Sequence, residues 1–338
     1  MSTDEPRLDE FEDEDDAPAL VVSPAEVIEE IATANGAVSS ERLRALSDPD
    51  DAVLASFVAL WPRIEPERRR DVLAWLERLA AEDPTLDFHR IHLTALHDED
   101  TAARILAVRG LWEEDRVEYM YLLIEQIRDD PEATVRTTVA DVLGQWVVGG
   151  EFGILSDDDV DGLSSALREA VEDINEEEEV RARALEALGA HSHESVAELI
   201  GEAYETGSPR MRLASLRAMG RNAADEWLPV LIYNFDDDDA EIRTASASAA
   251  GQLLLESAID PLTELLADDE EAVQVAAIEA LGEIAGDAAE QVLTAVLGRP
   301  EPHLVEAAQR ALSGVRVLAM EFDDPDDDDG DDYETNGQ

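Results

Sequence analysis

One phrase recurs along the chain at a fixed step. It reads FDDDDAEIRTASASAAG at Phe235–Gly251, LADDEEAVQVAAIEALG at Leu266–Gly282 and YETGSPRMRLASLRAMG at Tyr204–Gly220. Gly189, Gly220, Gly251 and Gly282 stand 31 residues apart, and Ser313 takes the next place. An apolar column (Leu188, Met219, Ala250, Leu281, Leu312) and an Ala column (Ala187, Ala218, Ala249, Ala280, Ala311) keep the same step. A further column, Arg181, Arg212 and Arg243, continues as Gln274 and Val305. A fixed period of roughly 20–50 residues marks a protein of stacked repeats, each of which buries its apolar face only against its neighbours.

Within one period the pattern splits in two. A first apolar segment, seen at Trp227–Phe235, Ile259–Leu266 and Gln291–Leu297, is followed by a tight acidic turn. Then Ile242, Ala245, Ala249, Ala250 and Leu253 fall at helical spacing. The turn places Asp and Glu at the N-terminus of this second helix, where they satisfy free N–H groups and suit the helix dipole. The Ala column lets neighbouring helices approach, and the Gly column implies close backbone contact or a positive φ near the helix end. Hydrophobic residues make up 45% of the chain and aromatics only 5%, with Ala and Leu dominant, which is a helical composition.

The period is less regular towards the N-terminus. Ser23-Pro24 reads as an N-cap and first helical residue, with Val27, Ile28 and Ile31 on one face and Asn35-Gly36 as the stop. A short helix is expected at Ser40–Leu46. Ser47-Asp48-Pro49-Asp50 reads as the first repeat turn, Asp51–Trp61 as its second helix, and Pro66–Ala81 as an extra helix. From Gly144 to Gly189 the step stretches to 45, and residues 147–159 read as an inserted Gly- and Asp-rich loop. The expected layout is a disordered acidic tail (1–18), capping helices (19–46), a repeat array (47–320) and a second disordered acidic tail (321–338). The fold class is all-α, an armadillo- or HEAT-like solenoid of about eight helical hairpins.

Charge narrows the setting. The chain carries 82 acidic and 25 basic residues, a net −57, and every basic residue is Arg. The first 18 residues hold nine acids and one Arg and the last 18 hold ten acids, so −39 falls on residues 19–320. Such self-repulsion opposes compaction at low salt, while at molar salt the screening length shrinks to about 3 Å. The absence of Lys and the acidity together point to a salt-accumulating cytoplasm. With no Cys there is no disulfide and no thiolate chemistry. The N-terminal residues lack a basic-then-apolar leader pattern, and no apolar run reaches the ~18 residues that span a bilayer, so a cytoplasmic protein without a membrane partner is expected.

The recurring phrase resembles the HEAT-repeat family, and more closely its short form, the PBS-lyase-like HEAT repeats. The likeness lies in L-x-D-x-x-x-x-V-R-x-x-A-x-x-A-L-G, carried by Leu96, Asp98 and Arg104, by Asp130, Val135 and Arg136, by Val180-Arg181 to Gly189 and by Ile242-Arg243 to Gly251. The resemblance implies a scaffold, adaptor or assembly factor. It also implies that Arg104, Arg136, Arg181, Arg212 and Arg243 form a ladder with turn acids such as Asp98, Asp130, Glu177, Asp237 and Asp268. The same column could instead be a basic seam for an anionic ligand. Some relatives handle bilin chromophores. The HEAT-type deoxyhypusine hydroxylase holds iron through several His-Glu pairs, of which this chain has one, His193-Glu194.

Arg183, Arg210, Arg217 and Arg221 lie outside the ladder column, on two successive second helices. Together with Arg181 and Arg212 they place six Arg between 181 and 221. They read as a docking patch on the concave face or as surface partners of Glu186, Glu202 and Glu205. Trp61, Trp75, Trp112, Trp146 and Trp227 read chiefly as core, with Trp227 the candidate for partner contact. His89, His92 and Asp98 could meet a metal but lack a clear further ligand, as do His191 and His193, so no metal and no cofactor is expected. No phosphate-cradling Gly-rich loop, His-Glu-x-x-His, nucleophile elbow or thiol is present, and no catalytic residue is assigned. The sequence thus points to a non-enzymatic scaffold that binds a protein partner. The alternative is a chromophore-lyase-like or metal-dependent modifying enzyme. The charge disfavours nucleic acid, and no small-molecule substrate is indicated. Transfer from molar KCl to low salt should abolish most of the far-ultraviolet helical dichroism; retention of the full signal would contradict the halophilic reading.

Overall fold

A computed structural model describes residues 23–33, 39–112 and 116–322. The tail 1–18, residues 323–338 and the Asn35-Gly36 stop lie outside these. Among the described residues every regular element is helical. The chain divides into two compact units, ending at Leu111 and beginning at Trp112, so the boundary falls inside the stretch 47–320 read as one array.

The first unit contains α1 (Pro24–Thr33), α2 (Ser40–Leu43), α3 (Asp51–Leu60), α4 (Pro66–Glu82), α5 (His89–Ala95) and α6 (Thr101–Arg109). They form two layers: α1, α3 and α5 pack in sequence, and α2, α4 and α6 pack in sequence. This corrects the reading of 51–61 as a second helix and of 66–81 as an extra one, because α3 packs in the layer of α1 and α5 and α4 in the layer of α2 and α6. The Asp50 carboxylate caps α3 through the amides of Ala52 and Val53, at 2.9 and 2.8 Å. An Asp cap marks any helix start and does not tell first from second.

The second unit contains α7 (Val117–Asp129), α8 (Ala133–Glu151), α9 (Asp157–Glu172), α10 (Glu178–Leu188), α11 (Glu194–Thr206) and α12 (Pro209–Asn222). It continues with α13 (Leu228–Tyr233), α14 (Ala240–Gln252), α15 (Ile259–Glu264), α16 (Glu271–Ile284), α17 (Gly286–Val296) and α18 (Pro302–Phe322). Each odd helix pairs with the even helix after it, and the even helices α8 to α18 pack side by side in chain order. The stretch 147–159 is not a loop: α8 continues to Glu151, a short turn follows, and α9 starts at Asp157. Its glycines mislead because Gly149 and Gly150 are absorbed into the last turn of α8. α18 also carries helix two residues past 320.

The periodic columns meet one another in the even layer. A methyl group placed on Gly189 would lie 2.8 Å from the Ala218 Cα, on Gly220 2.8 Å from the Ala249 Cα and on Gly251 2.6 Å from the Ala280 Cα. On Gly282 it would lie 2.8 Å from the Ala311 Cβ. The Gly column of one repeat is therefore seated on the Ala column of the next, backbone against backbone. None of these four glycines has a positive φ. The positive φ falls instead on Ala223 and Leu254, at φ 55° each, and Ala285, at φ 56°, three residues beyond Gly220, Gly251 and Gly282. Larger residues fill the remaining core, including the fully buried Leu185, Leu188, Leu216, Met219 and Leu281.

Gly251→Ala should lower stability. Overpacking costs about 1–3 kcal/mol, which outweighs the ~1 kcal/mol gained from replacing Gly in a helix. Gly314→Ala, with no atom within 4 Å of the added methyl, should stabilise by up to ~1 kcal/mol. Denaturation midpoints of the two variants in high salt check this; equal shifts would refute the close approach.

Candidate partner-binding surface

The acidic turns and the Arg column are joined by a repeated set of bonds. Arg243 Nε and Nη2 grip Asp268 in a fork, at 2.8 and 2.9 Å, while its Nη1 donates to the Asp237 carbonyl at 2.8 Å. Arg212 donates to Asp237 (2.9 Å) and to the buried Asn234 (2.5 Å). Arg136 grips Glu176 at 2.8 and 2.6 Å and donates to the Asp130 carbonyl at 2.6 Å. Arg104 donates to the Asp98 carbonyl at 2.8 Å. Gln274, in the same column, donates to the Asp268 carbonyl at 2.6 Å. Arg104, Arg136, Arg243 and Gln274 thus fasten their own turns, and Arg136, Arg212 and Arg243 reach a carboxylate ahead, Arg136 and Arg243 with the forked geometry that Arg provides and Lys does not. The Arg243 bond holds the Asp268 carboxyl below its ordinary pKa. That of Asp237 is lowered first by the Asp239 amide and then by Arg212. Arg181 departs from the set: its Nε donates to the Val171 carbonyl at 2.9 Å.

The second group of arginines lies on the even layer, across α10 and α12. Its centre is Glu186, whose side chain is 2% exposed. Arg183 meets it at 2.7 Å and Arg217 at 3.1 Å. Arg217 also reaches Glu241 at 3.4 Å, and Arg210 pairs with Glu179. Arg221 donates to the Glu186 carbonyl at 3.1 Å and, among the described residues, pairs with no carboxylate. Neither Glu202 nor Glu205 takes any of these arginines. The 31-residue step recurs in Arg210–Glu179, Arg217–Glu186 and Arg310–Glu279, so neighbouring even helices are cross-linked by charge along the same face.

Trp227 is half-buried at the start of α13 and donates to Asn222 at 2.9 Å. Trp61 and Trp146 are buried, while Trp75 and Trp112 are exposed. Trp61 donates to Asp98 at 2.7 Å, and Arg69 meets the same carboxylate at 2.6 Å, which makes Asp98 a buried polar anchor of the first unit. His89 pairs with Asp87 at 2.9 Å, and His92 is buried beneath Gly110. No cluster of three or more potential metal ligands occurs among the described residues. Three features escaped the sequence reading: the hub role of Glu186, an exposed apolar pair at Phe152 and Ile154, and Ile174, which is 83% exposed. Ile174 was visible as a lone isoleucine within an acidic run.

Helical hairpins stacked so that every second helix joins one continuous layer define an α-solenoid. The HEAT-repeat family matches residues 160–251 and 228–313. No curated protein matches the sequence. Among solved structures, the chain is similar to the CpcE–CpcF complex of phycocyanin lyase from Nostoc sp. PCC7120 (19% identity, 78% of this chain, 95% of that one, TM-score 0.49). It is similar to human deoxyhypusine hydroxylase (17%, 87% and 97%, TM-score 0.34) and to Kap95p in complex with RanGDP (14%, 86% and 45%, TM-score 0.48). At these values the likenesses bear on neither activity nor partner.

Burial lowers the His92 pKa from 6.5 to about 3, the charge of His89 adds to the effect, and a bond to the Leu106 backbone opposes it. The ring is therefore neutral when folded and protonates more readily when unfolded. Its contribution to stability is complete above pH 6.5 and is lost as pH falls towards 3. At pH 4.5 the loss should amount to roughly 2–3 kcal/mol. Carboxylates titrate in both proteins, so the readout is the difference between wild type and His92→Gln in urea midpoints at pH 7 and 4.5. Equal pH sensitivity would exclude the buried neutral ring.

Proposed function

We propose that this protein is a non-enzymatic HEAT-repeat scaffold that binds a protein partner on the concave face formed by its second helices, near residues 180–225, in a salt-rich cytoplasm. The observation that carries this reading is Arg221, an exposed guanidinium without a carboxylate partner among the described residues, in a chain of net charge −57. Around it, Arg210, Arg217 and Arg183 are partly exposed and held in place by Glu179 and Glu186. Fixed arginines beside an uncompensated one suit an acidic protein surface, because little side-chain entropy remains to be lost on docking. Trp227 borders this region and supplies an aromatic edge. Among the described residues no helix is long and apolar enough to cross a membrane.

Co-purification from native cells in molar KCl, with mass spectrometry of the captured proteins, tests the reading. Arg217→Glu combined with Arg221→Glu should lose the partner, whereas Arg310→Glu, further along the same face, should keep it. Because Arg217 also neutralises buried Glu186, Arg221→Glu alone separates loss of contact from loss of fold. Capture that survives both variants would move the interface elsewhere.

A further inference from the structure

In the ladder, Arg212 and Arg243 each bond to an aspartate 25 residues ahead, Asp237 and Asp268. The residue 25 positions beyond Arg181 is Thr206, which has no charge. Its hydroxyl is already spent on the Glu202 carbonyl at 2.9 Å. The rung below Arg181 escapes the same fate: Arg136 faces Asn175 in the aspartate column, yet it grips the next residue, Glu176. At the Arg181 rung the next residue is Gly207, with no side chain, and then Ser208, whose hydroxyl caps α12 through the Met211 amide. Among the described residues, Arg181 makes no ion pair, and its side chain bonds only through Nε, to the Val171 carbonyl.

Arg181 lines a cavity of about 540 Å³ between the α9–α10 turn and the α11–α12 turn. Its apolar wall includes Leu199, Met211 and the exposed Ile174. Glu172, Glu178 and Glu202 also line it, but none lies within ion-pair distance of Arg181, and Glu172 pairs with Arg168 at 3.4 Å.

We propose that Arg181 is an open rung of the ladder that receives an Asp or Glu side chain from the partner, with an adjacent apolar residue of the same segment against Ile174 and Leu199. The inference rests on the scaffold reading and deepens it. The chemistry is the one the fold already uses: at Arg136, Arg212 and Arg243 the guanidinium is satisfied by a carboxylate in this position. A bonded carboxylate would be recognised over its amide isostere, because a charged acceptor strengthens each N–H bond and Asn offers a single oxygen. Ile174 gives the segment apolar surface that a free carboxylate would not use.

The probe is the capped peptide Gly-Ile-Asp-Leu-Gly, with its Asn analogue and acetate as controls, titrated onto the full chain in the salt that keeps it folded. Binding is read from the Arg181 Nε–Hε resonance. A saturable shift with the Asp peptide, at least about tenfold weaker with the Asn peptide and with acetate, is expected. Thr206→Asp should supply the missing carboxylate internally, raise the thermal midpoint and weaken peptide binding at least about tenfold. Arg181→Gln, which lacks the reporter resonance and is titrated by calorimetry instead, should abolish peptide binding while helical dichroism is retained. Equal shifts with the Asp and Asn peptides, no shift at all, or undiminished binding by Thr206→Asp would each overturn the proposal. Partner capture that persists in Thr206→Asp and Arg181→Gln would also overturn it and leave the scaffold reading standing; absence of any partner in native cells would remove the scaffold reading itself.

Discussion

The structure depends on how closely successive even helices approach. Gly189, Gly220, Gly251 and Gly282 leave no room for a methyl, and each is covered by the Ala of the following repeat. Packing forces fall off within a fraction of an ångström, so backbones this close gain contact that larger side chains would forfeit. The same fit sets the alignment of one repeat on the next. The Arg column and the turn acids can meet only because the Gly–Ala seam holds that alignment from α10 to α18.

Charge works within this frame. A chain at −57 has few cations to use, and most of those described are spent on fixing its own geometry. Glu186 shows the economy of this arrangement: one buried carboxylate holds Arg183 on its own helix and Arg217 on the next. A buried carboxylate that lost both partners would be strongly destabilising, so this network resists change more than an exposed pair does. Surface pairs such as Arg310–Glu279 contribute little by comparison.

Much of the fold was legible in the sequence, because a repeat states its contacts many times. The columns of Gly, Ala and Arg each correspond to a physical seam. Other features lacked that redundancy. Asp50 caps α3 as any Asp would, so nothing local tells a first helix from a second: α3 reads as a second helix and α4 as an extra one. Gly149 and Gly150 look like loop residues, yet α8 runs through them. The candidate surface was legible as a cluster of arginines but not as a circuit, since Arg210 chooses Glu179 over Glu202 or Glu205 only once α10 and α12 lie side by side. Thr206 was on view in its column; its meaning needed the distances around Arg181.

A solenoid of this kind is held by interfaces between nearest neighbours, so its resistance to opening is set seam by seam. The seam between the second and third hairpins of the second unit has its Gly–Ala contact and its Glu186 bridge, but no carboxylate under Arg181. Local fluctuation should therefore concentrate there, as foldon boundaries follow the thinnest set of contacts. A ligand that fastened this seam would act as a splint as well as cargo, its binding energy appearing directly as resistance of the flanking helices to parting.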